Sequence, residues 1–206
     1  PLGLLRPCMA ALEELAANYG ASVVLCTATQ PALRVQDGFE AGLDICAKRE
    51  LAPDPPRLYA ALKRVRVEHL AAPVEDAAIA ARFVEQPQML CIVNTRRHAR
   101  ALFEAVRHLP GAVHMSTLMC ARHRSAVLAE VRARLAAGEP VRICSTSVLE
   151  AGVDISLPEV WRAAAGLDSI AQAAGRCNRN AEITEGRVVV FEPADPARVM
   201  PKWLVI

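Results

Sequence analysis

Residues 141–154 decide the fold, and they have the sequence VRICSTSVLEAGVD. The pattern predicts a short buried strand at 141–145, followed by a turn that contains hydroxyl, carboxyl and glycine residues. The same succession of strand, polar junction and helix recurs between residues 64 and 191. Strands that alternate with helices predict a parallel sheet with helices on both faces, which is an α/β fold.

The apolar periodicity places the individual elements of the chain. Strands are predicted at 65–70, 89–94, 112–115, 141–145, 160–164 and 187–191. Helices are predicted at 75–85, 97–108, 122–137 and 169–177. Ahead of these, 4–17 predict an amphipathic helix, Ser22–Thr27 a buried strand, and 34–60, which contain three prolines, an irregular connection. The sequence therefore predicts three parts, residues 1–31, a connector at 32–62 and a main domain at 63–206.

Composition excludes several classes of protein. The 206 residues suffice for one well-packed core, because domains commonly contain about 100–200 residues. Hydrophobic residues make up 53% of the chain and charged residues 22%, which excludes a disordered polar chain. No apolar run reaches the roughly 18 residues that cross a bilayer, so we expect no membrane partner and a cytoplasmic location. The cysteines form no C-x-x-C pair and the histidines lack metal-ligand spacing, so no metal site is predicted.

The charge of the chain gives only a weak indication of its partners. The net charge is +2, which by itself does not indicate nucleic-acid binding. Only three of the 24 basic residues are lysines. Arginine suits planar, two-pronged contacts with phosphate, but a genome biased towards arginine codons explains the ratio at least as well.

Polar residues follow several of the predicted strands. Ligands of open parallel sheets gather beyond the carboxyl ends of the strands, so these junctions are candidates for a site. They are Thr27-Ala28-Thr29, Asn94-Thr95-Arg96, Ser145–Asp154 and Gln172–Arg179. Each one alone also fits a structural explanation, since Asn, Ser and Thr cap helix starts and arginines complement the dipole at helix ends. Their joint occurrence in this order favours a functional site.

The junctions together resemble the motifs of a superfamily 2 helicase. Thr27-Ala28-Thr29 resembles motif III, Asn94-Thr95-Arg96 motif IV, Thr146–Asp154 motif V and Gln172–Arg179 motif VI. Residues 24–31, VLCTATQP, and 165–179, AGLDSIAQAAGRCNR, are similar to the CRISPR-associated helicase-nuclease of type I interference. The resemblance implies that residues 63–206 are a second RecA-like lobe with motifs IV, V and VI, and that 1–31 are the C-terminal remnant of the first lobe.

The resemblance also implies roles for single residues around an ATP molecule with magnesium. Arg179 is the expected arginine finger, which neutralises the γ-phosphate when a second lobe closes. Arg176, three residues earlier on the same helical face, is expected to reach the same phosphate, and Gln172 to orient the attacking water or the γ-phosphate. Gly152 allows close backbone approach, and Asp154 accepts from the ribose hydroxyls. A buried structural role for Asp154 is the alternative.

Contacts to single-stranded DNA are expected from hydroxyl and guanidinium groups that hold phosphates without distinguishing bases. The residues concerned are Thr95, Arg96, Ser116, Thr146 and Ser147. For Ser116 a capped helix start is an equal alternative. Thr27 and Thr29, in the stretch that resembles motif III, are expected to couple the two lobes.

Several parts of a complete motor are missing from these residues. No lysine follows a glycine, as a phosphate-binding loop requires, and neither an Asp-Glu nor a His-Asp dipeptide is present for the acidic motif or the nuclease domain. The sequence therefore predicts a chain that is inactive alone and works as part of an ATP-dependent DNA helicase in CRISPR antiviral defence. Its expected partners are single-stranded DNA, a first lobe with its nuclease domain, and the CRISPR surveillance complex. A non-catalytic binding fragment, or the second lobe of another superfamily 2 helicase that acts on RNA, are the alternatives.

Overall fold

A computed structural model describes residues 2–26, 42–43, 49–150 and 152–198. The chain divides into two compact units, Pro1–Leu62 and Lys63–Ile206. The second unit begins at the residue where the sequence places the start of the second lobe. Thr27 and Thr29, the predicted coupling residues, lie outside the described residues.

The described residues of the first unit form two α-helices, α1 (Leu2–Asn18) and α2 (Pro55–Ala61). Helix α2 lies within the stretch that was predicted to be an irregular connection. The helix forms there because Asp54 accepts a hydrogen bond from the Arg57 N–H at 3.2 Å. The two prolines occupy the first turn, where their missing N–H groups are not needed. A strand was predicted at Ser22–Thr27. For the described part of this segment, which ends at Cys26, the prediction is wrong. Residues 21–26 adopt no strand, since this unit offers them no hydrogen-bonded neighbour among its described residues.

The second unit is built on six parallel strands. In chain order they are β1 (Val65–His69), β2 (Gln88–Ile92), β3 (Ala112–Met115), β4 (Val141–Ser145), β5 (Glu159–Ala163) and β6 (Gly186–Phe191). Their order across the sheet is β1-β6-β5-β2-β4-β3. All six predicted strands of the repeat are therefore present, and the predicted parallel α/β sheet is confirmed.

Alternate side chains of each strand enter two separate cores, one on each face of the sheet. Met89 and Cys91 pack with Phe83 on one face, whereas Leu90 and Ile92 pack with Leu128 on the other. The first face is covered by α3 (Asp76–Glu85) and α4 (Arg96–Val106), the second by α5 (Ala121–Ala136) and α6 (Leu167–Ala174). The prediction of helices on both faces is confirmed, and it explains why a central strand such as β2 is almost continuously apolar.

The connections from two neighbouring strands lead to opposite faces of the sheet. Since all strands are parallel, their carboxyl ends lie at the same edge. The neighbours β2 and β5 lead into helices on opposite faces, β2 into α4 and β5 into α6. A crevice at such a reversal is where open α/β sheets bind ligands.

His98 gives the folded protein a pH dependence near neutrality. Its ring is fully buried at the start of α4, where Nε2 lies 2.9 Å from Asp76 Oδ1 and Nδ1 has no hydrogen-bond partner within the described ranges. Burial lowers the pKa of His98 from its ordinary value of 6.5, although the charge of Asp76 opposes the shift. The folded protein thus binds this proton less tightly than the unfolded chain does, so the unfolding free energy should decrease as the pH falls below about 6.5.

Denaturant unfolding at about pH 7.5 and about pH 5.5 measures this dependence in the wild type and in His98→Gln. The decrease between the two pH values should be smaller in His98→Gln, because the variant has no imidazole to protonate. His123→Gln, at an exposed position of α5, is the control and should behave like the wild type. An equal decrease in the wild type and in His98→Gln would contradict the assignment.

Candidate functional site

The apolar residues of the turn after β4 are buried, and their burial fixes the position of the turn. Leu149, Val153 and Ile155 are buried in the core, so Gly152 and Asp154 between them face solvent. Gly152 has a φ of +69°, a conformation that favours glycine, and a Cβ at this position would meet no described atom within 4 Å. The backbone at Gly152 is therefore open to a ligand.

The two motif VI arginines lie in a turn, which corrects the prediction that they share a helical face. Helix α6 ends at Ala174. Beyond it the chain pairs with Leu157, whose N–H donates to the Arg176 carbonyl at 3.0 Å and whose carbonyl accepts from the Asn178 N–H at 2.8 Å. This long-range pairing draws residues 176–178 away from the helix axis, so helical spacing does not relate Arg176 to Arg179.

Arg176 is buried and contacts the motif V turn. Its side chain is 8% exposed, Nε donates to the Leu149 carbonyl at 3.0 Å, and Nη2 donates to the Glu150 carbonyl at 2.7 Å. Burial lowers the pKa of Arg176, and the nearby charge of Arg179 lowers it further. The hydrogen bonds of this guanidinium thus join the motif V turn to motif VI. A contact between Arg176 and phosphate stays a prediction.

Arg179 is exposed and contacts Asp154. The side chains are 43% and 78% exposed, and Arg179 Nε donates to Asp154 Oδ1 at 2.9 Å. The expected finger and the expected ribose acceptor therefore lie together, and the alternative of a buried structural Asp154 is wrong. Exposed ion pairs contribute only about 0–1 kcal/mol, so a ligand can separate the two groups at little cost.

Asn178 is a positioning residue that the sequence analysis missed. It is 1% exposed and adopts a φ of 44°. Its amide donates to the carbonyls of Arg64 and Ile183 at 3.0 and 2.7 Å and accepts from the Ile183 N–H at 3.1 Å. The buried amide therefore fixes the backbone directly before Arg179. The available signal was an asparagine at the end of a helix, since Asn adopts the left-handed region more readily than most residues.

Gln172 lies in the last turn of α6 and is half-buried. Its side chain makes no hydrogen bond to any other residue that the structure describes. The orientation of a water or phosphate by Gln172 stays a prediction.

The junction after β2 starts helix α4. The Thr95 hydroxyl accepts a hydrogen bond from the His98 N–H at 3.1 Å, so Thr95 is a helix cap, as the structural explanation predicts. This bond uses the oxygen as an acceptor and leaves the hydroxyl hydrogen available to a phosphate. Arg96 is exposed in the first turn of α4.

Two buried hydroxyl residues lie side by side at the carboxyl ends of β3 and β4. Ser116 and Thr146 are 4% and 5% exposed, and the Thr146 N–H donates to the carbonyl of Met115 at 3.2 Å. Thr146 Oγ1 has no hydrogen-bond partner in the described part of the chain. Ser147, the next residue, is exposed. An unpaired buried hydroxyl is unusual in a folded protein and suits a group that binds a ligand.

The described residues contain no group of three or more His, Cys, Asp or Glu side chains that could hold a metal ion. Among the helices of the described ranges, none has the length and apolar character that a membrane crossing requires.

The parallel six-stranded sheet, with motif IV after β2, the start of motif V after β4 and motif VI paired with the segment before β5, defines a RecA-like α/β lobe. Residues 85–182 match the family model described as "CRISPR-associated nuclease/helicase Cas3, C-terminal". The resemblance to the CRISPR-associated helicase-nuclease is therefore confirmed, and the matched region corresponds to its C-terminal helicase lobe.

Individual relatives agree with this family match. A CRISPR-associated nuclease/helicase Cas3 from Haloferax volcanii is 46% identical over 78 residues, which cover 36% of this chain and 8% of the relative. The structure of T. fusca Cas3 with ATP has a TM-score of 0.53 at 18% identity and covers 68% of this chain and 19% of that chain. A chain of a CRISPR RNA-guided surveillance complex, pre-nicking, has a TM-score of 0.52 at 19% identity and covers 69% and 20%. At these identities the two solved structures show the fold alone, and the chain spans about a fifth of each or less.

Proposed function

We propose that this chain is the second motor lobe of an ATP-dependent helicase that moves along single-stranded DNA in type I CRISPR interference. The phosphate-binding loop and acidic motif would be supplied by a first lobe, on the same or a separate polypeptide, together with a nuclease domain. We call the two lobes together the completed motor. The match to the Cas3 C-terminal family model and the Haloferax volcanii Cas3 relative support a CRISPR partner of this kind.

The pair of Arg179 and Asp154 carries the proposal. Both side chains are exposed and in contact with each other, and Asp154 lies two residues after the open backbone of Gly152. These groups fit a nucleotide whose phosphates are bound mainly by another lobe, with Arg179 stabilising charge on the transferred phosphoryl group and Asp154 accepting from the ribose. Magnesium bound with the nucleotide neutralises charge on the phosphate oxygens. Since the described residues offer no group of metal ligands, we assign the ion to the first lobe.

The nucleic acid is proposed to cross the carboxyl edge of the sheet, at Thr95, Arg96, Ser116, Thr146 and Ser147. Hydroxyl groups at the ends of β2, β3 and β4, with one exposed guanidinium, would contact phosphates and leave the bases unread. The unpaired hydroxyl of Thr146 supports this arrangement. Contacts of this type suit a motor that steps along any sequence.

Binding of the chain to a labelled single-stranded DNA tests the nucleic-acid part of the proposal. We expect weak binding that is indifferent to sequence and decreases steeply with salt, because phosphate contacts release counterions. Arg96→Ala should weaken binding and reduce the slope of log affinity against log salt by about 0.7, the value for one contact on a single strand. Arg107→Ala removes an equally exposed arginine at the opposite end of α4 and should leave affinity and slope unchanged.

A single-stranded RNA of the same sequence is the second arm of this titration. Preference for RNA would favour an RNA helicase, and binding that survives high salt would contradict phosphate tracking. Equal effects of Arg96→Ala and Arg107→Ala would remove Arg96 from the interface.

A further inference from the structure

Arg162 lies near the carboxyl end of β5, paired with Ile92 at the carboxyl end of β2, where the connections lead to opposite faces of the sheet. Its side chain is 2% exposed. Nε lies 2.9 Å from Glu150 Oε1 in an ion pair whose two atoms are not aligned as a hydrogen bond, and Nη1 donates to Asn94 Oδ1 and to the Ala163 carbonyl, both at 2.7 Å. Sheets of this topology bind ligands at this position. In this lobe the position holds a charged side chain that contacts other groups of the same chain.

One branch of these contacts leads to the candidate nucleic-acid residues. Asn94 accepts from Arg162 and donates through Nδ2 to the carbonyl of Ala164 at 2.8 Å, so its amide is fixed on both sides. The next residue along the chain is Thr95, which caps α4, and Arg96 follows it. The position of Arg162 therefore determines the position of the junction that carries Thr95 and Arg96.

The other branch leads to the candidate nucleotide residues. The Glu150 side chain is buried; burial raises its pKa, while Arg162 and the Ser169 hydroxyl act in the opposite direction. The main-chain carbonyl of the same residue accepts from Arg176 at 2.7 Å. Glu150 thus joins Arg162 through its side chain to Arg176 through its backbone. Arg176 in turn lies three residues before Arg179.

Packing alone does not explain a charged pair at this place. Taking an arginine and a glutamate out of water is costly, and apolar residues of similar volume commonly stabilise a core as well or better. What apolar residues lack is the ability of one guanidinium to bind two different chain segments in a fixed geometry. The segments bound here are the motif IV junction and the motif V turn.

We propose that Arg162 is a positioning residue that couples the candidate nucleic-acid contacts to the candidate nucleotide contacts. Movement of the Asn94-Thr95-Arg96 junction on a DNA phosphate shifts the guanidinium, and Glu150 passes this shift to the motif V turn and to Arg176. The inference rests on the proposed function, because coupling exists only in a motor that binds both ligands. Spatial connection does not by itself establish coupling, so the test is a matched pair of double variants.

The test variant is Arg162→Met/Glu150→Met, which removes both buried charges and keeps their volume. The control is Arg82→Met/Glu159→Met. Arg82 Nε and Nη2 bind the Glu159 carboxylate at 2.8 and 2.6 Å, and Glu159 is buried at the amino end of β5, the same strand that carries Arg162. Both double variants therefore remove an ion pair from β5, at opposite ends of the strand.

Hydrolysis of ATP by the completed motor is measured with and without single-stranded DNA. In the test variant, DNA-stimulated kcat should fall by roughly tenfold or more, while KM for ATP and affinity for DNA stay within about twofold of the wild type. The control should keep the stimulation. A merely structural role would instead lower kcat and both affinities together, or lower all of them equally in the control.

Arg162→Lys keeps the test decisive if the double variant unfolds. Lysine retains the charge opposite Glu150 but has no planar group to reach Asn94 at the same time, so the DNA stimulation should again be lost in a folded protein. Full stimulation in Arg162→Lys, or in a folded test variant, would overturn the role of Arg162 alone. Absence of DNA-stimulated hydrolysis in the wild-type motor would reject the proposed function itself.

Discussion

Arg179→Ala should lower DNA-dependent ATP hydrolysis by the completed motor about 10³-fold or more, the range for loss of an arginine finger. The guanidinium is exposed and its contact to Asp154 is the weak kind of ion pair, so the variant should unfold at the same denaturant concentration as the wild type. ATP should still bind, since we assign its phosphates to the first lobe. Turnover by the chain alone, which we expect to be absent, supplies the baseline.

Arg107→Ala is the control for this experiment. Arg107 is also an exposed arginine paired with a carboxylate, Glu104, at 2.9 Å, but it lies at the end of α4 away from the carboxyl edge. Its removal should leave hydrolysis unchanged. If Arg179→Ala hydrolyses ATP at close to the wild-type rate in the presence of DNA, Arg179 is not the finger.

Arg176→Ala should destabilise the isolated chain by about 2–5 kcal/mol, because two buried carbonyls lose their donor and each unsatisfied group costs about 1–3 kcal/mol. The carbonyls belong to Leu149 and Glu150, so the loss falls on the motif V turn. Denaturant unfolding measures it directly. This result would distinguish the two arginines of motif VI, one of which builds the site while the other acts in it.

Arg176→Lys separates the hydrogen bonds of Arg176 from its charge. An ammonium group keeps the charge but lacks the planar geometry that reaches two carbonyls, so part of the destabilisation should remain. If Arg176→Ala unfolds at the wild-type denaturant concentration, the buried contacts to the turn contribute nothing. In that case the contact between Arg176 and phosphate, which was predicted from the sequence, becomes the preferred explanation of the role of Arg176.

The sequence was sufficient to predict the parallel sheet and the polar junctions that follow its strands. Strands such as Met89–Ile92 and Val141–Ser145 are apolar on both faces, and each is followed by residues that end a strand or cap a helix, so pattern and local chemistry agree. Because every strand is parallel, the polar junctions after them necessarily meet at one edge. The contact of Arg176 with the carbonyls of Leu149 and Glu150, which joins the Gln172–Arg179 segment to the motif V turn, does not follow from the order of the strands.

The details that the sequence missed depend on distant contacts. Arg176 and Arg179 continue a helical pattern locally, but the pairing of Leu157 with residues 176–178 ends the helix at Ala174. The apolar run at Ser22–Cys26 has strand character, yet a strand forms only where a neighbouring strand supplies hydrogen bonds. The partners of Arg162 come from segments 68 and 12 residues away along the chain, and no local pattern relates them.

The order of the strands also determines how easily each strand of the lobe opens locally. Strand β2 is hydrogen-bonded to β5 and β4 and covered on both faces, so its amide hydrogens exchange with solvent only when most of the lobe opens. Within the described residues β3 has one neighbour, and its outer amides exchange by local fraying. Asn94 follows β2 and Ser116 follows β3. The proposed DNA track therefore begins on one of the protected inner strands of the lobe and ends on an edge strand.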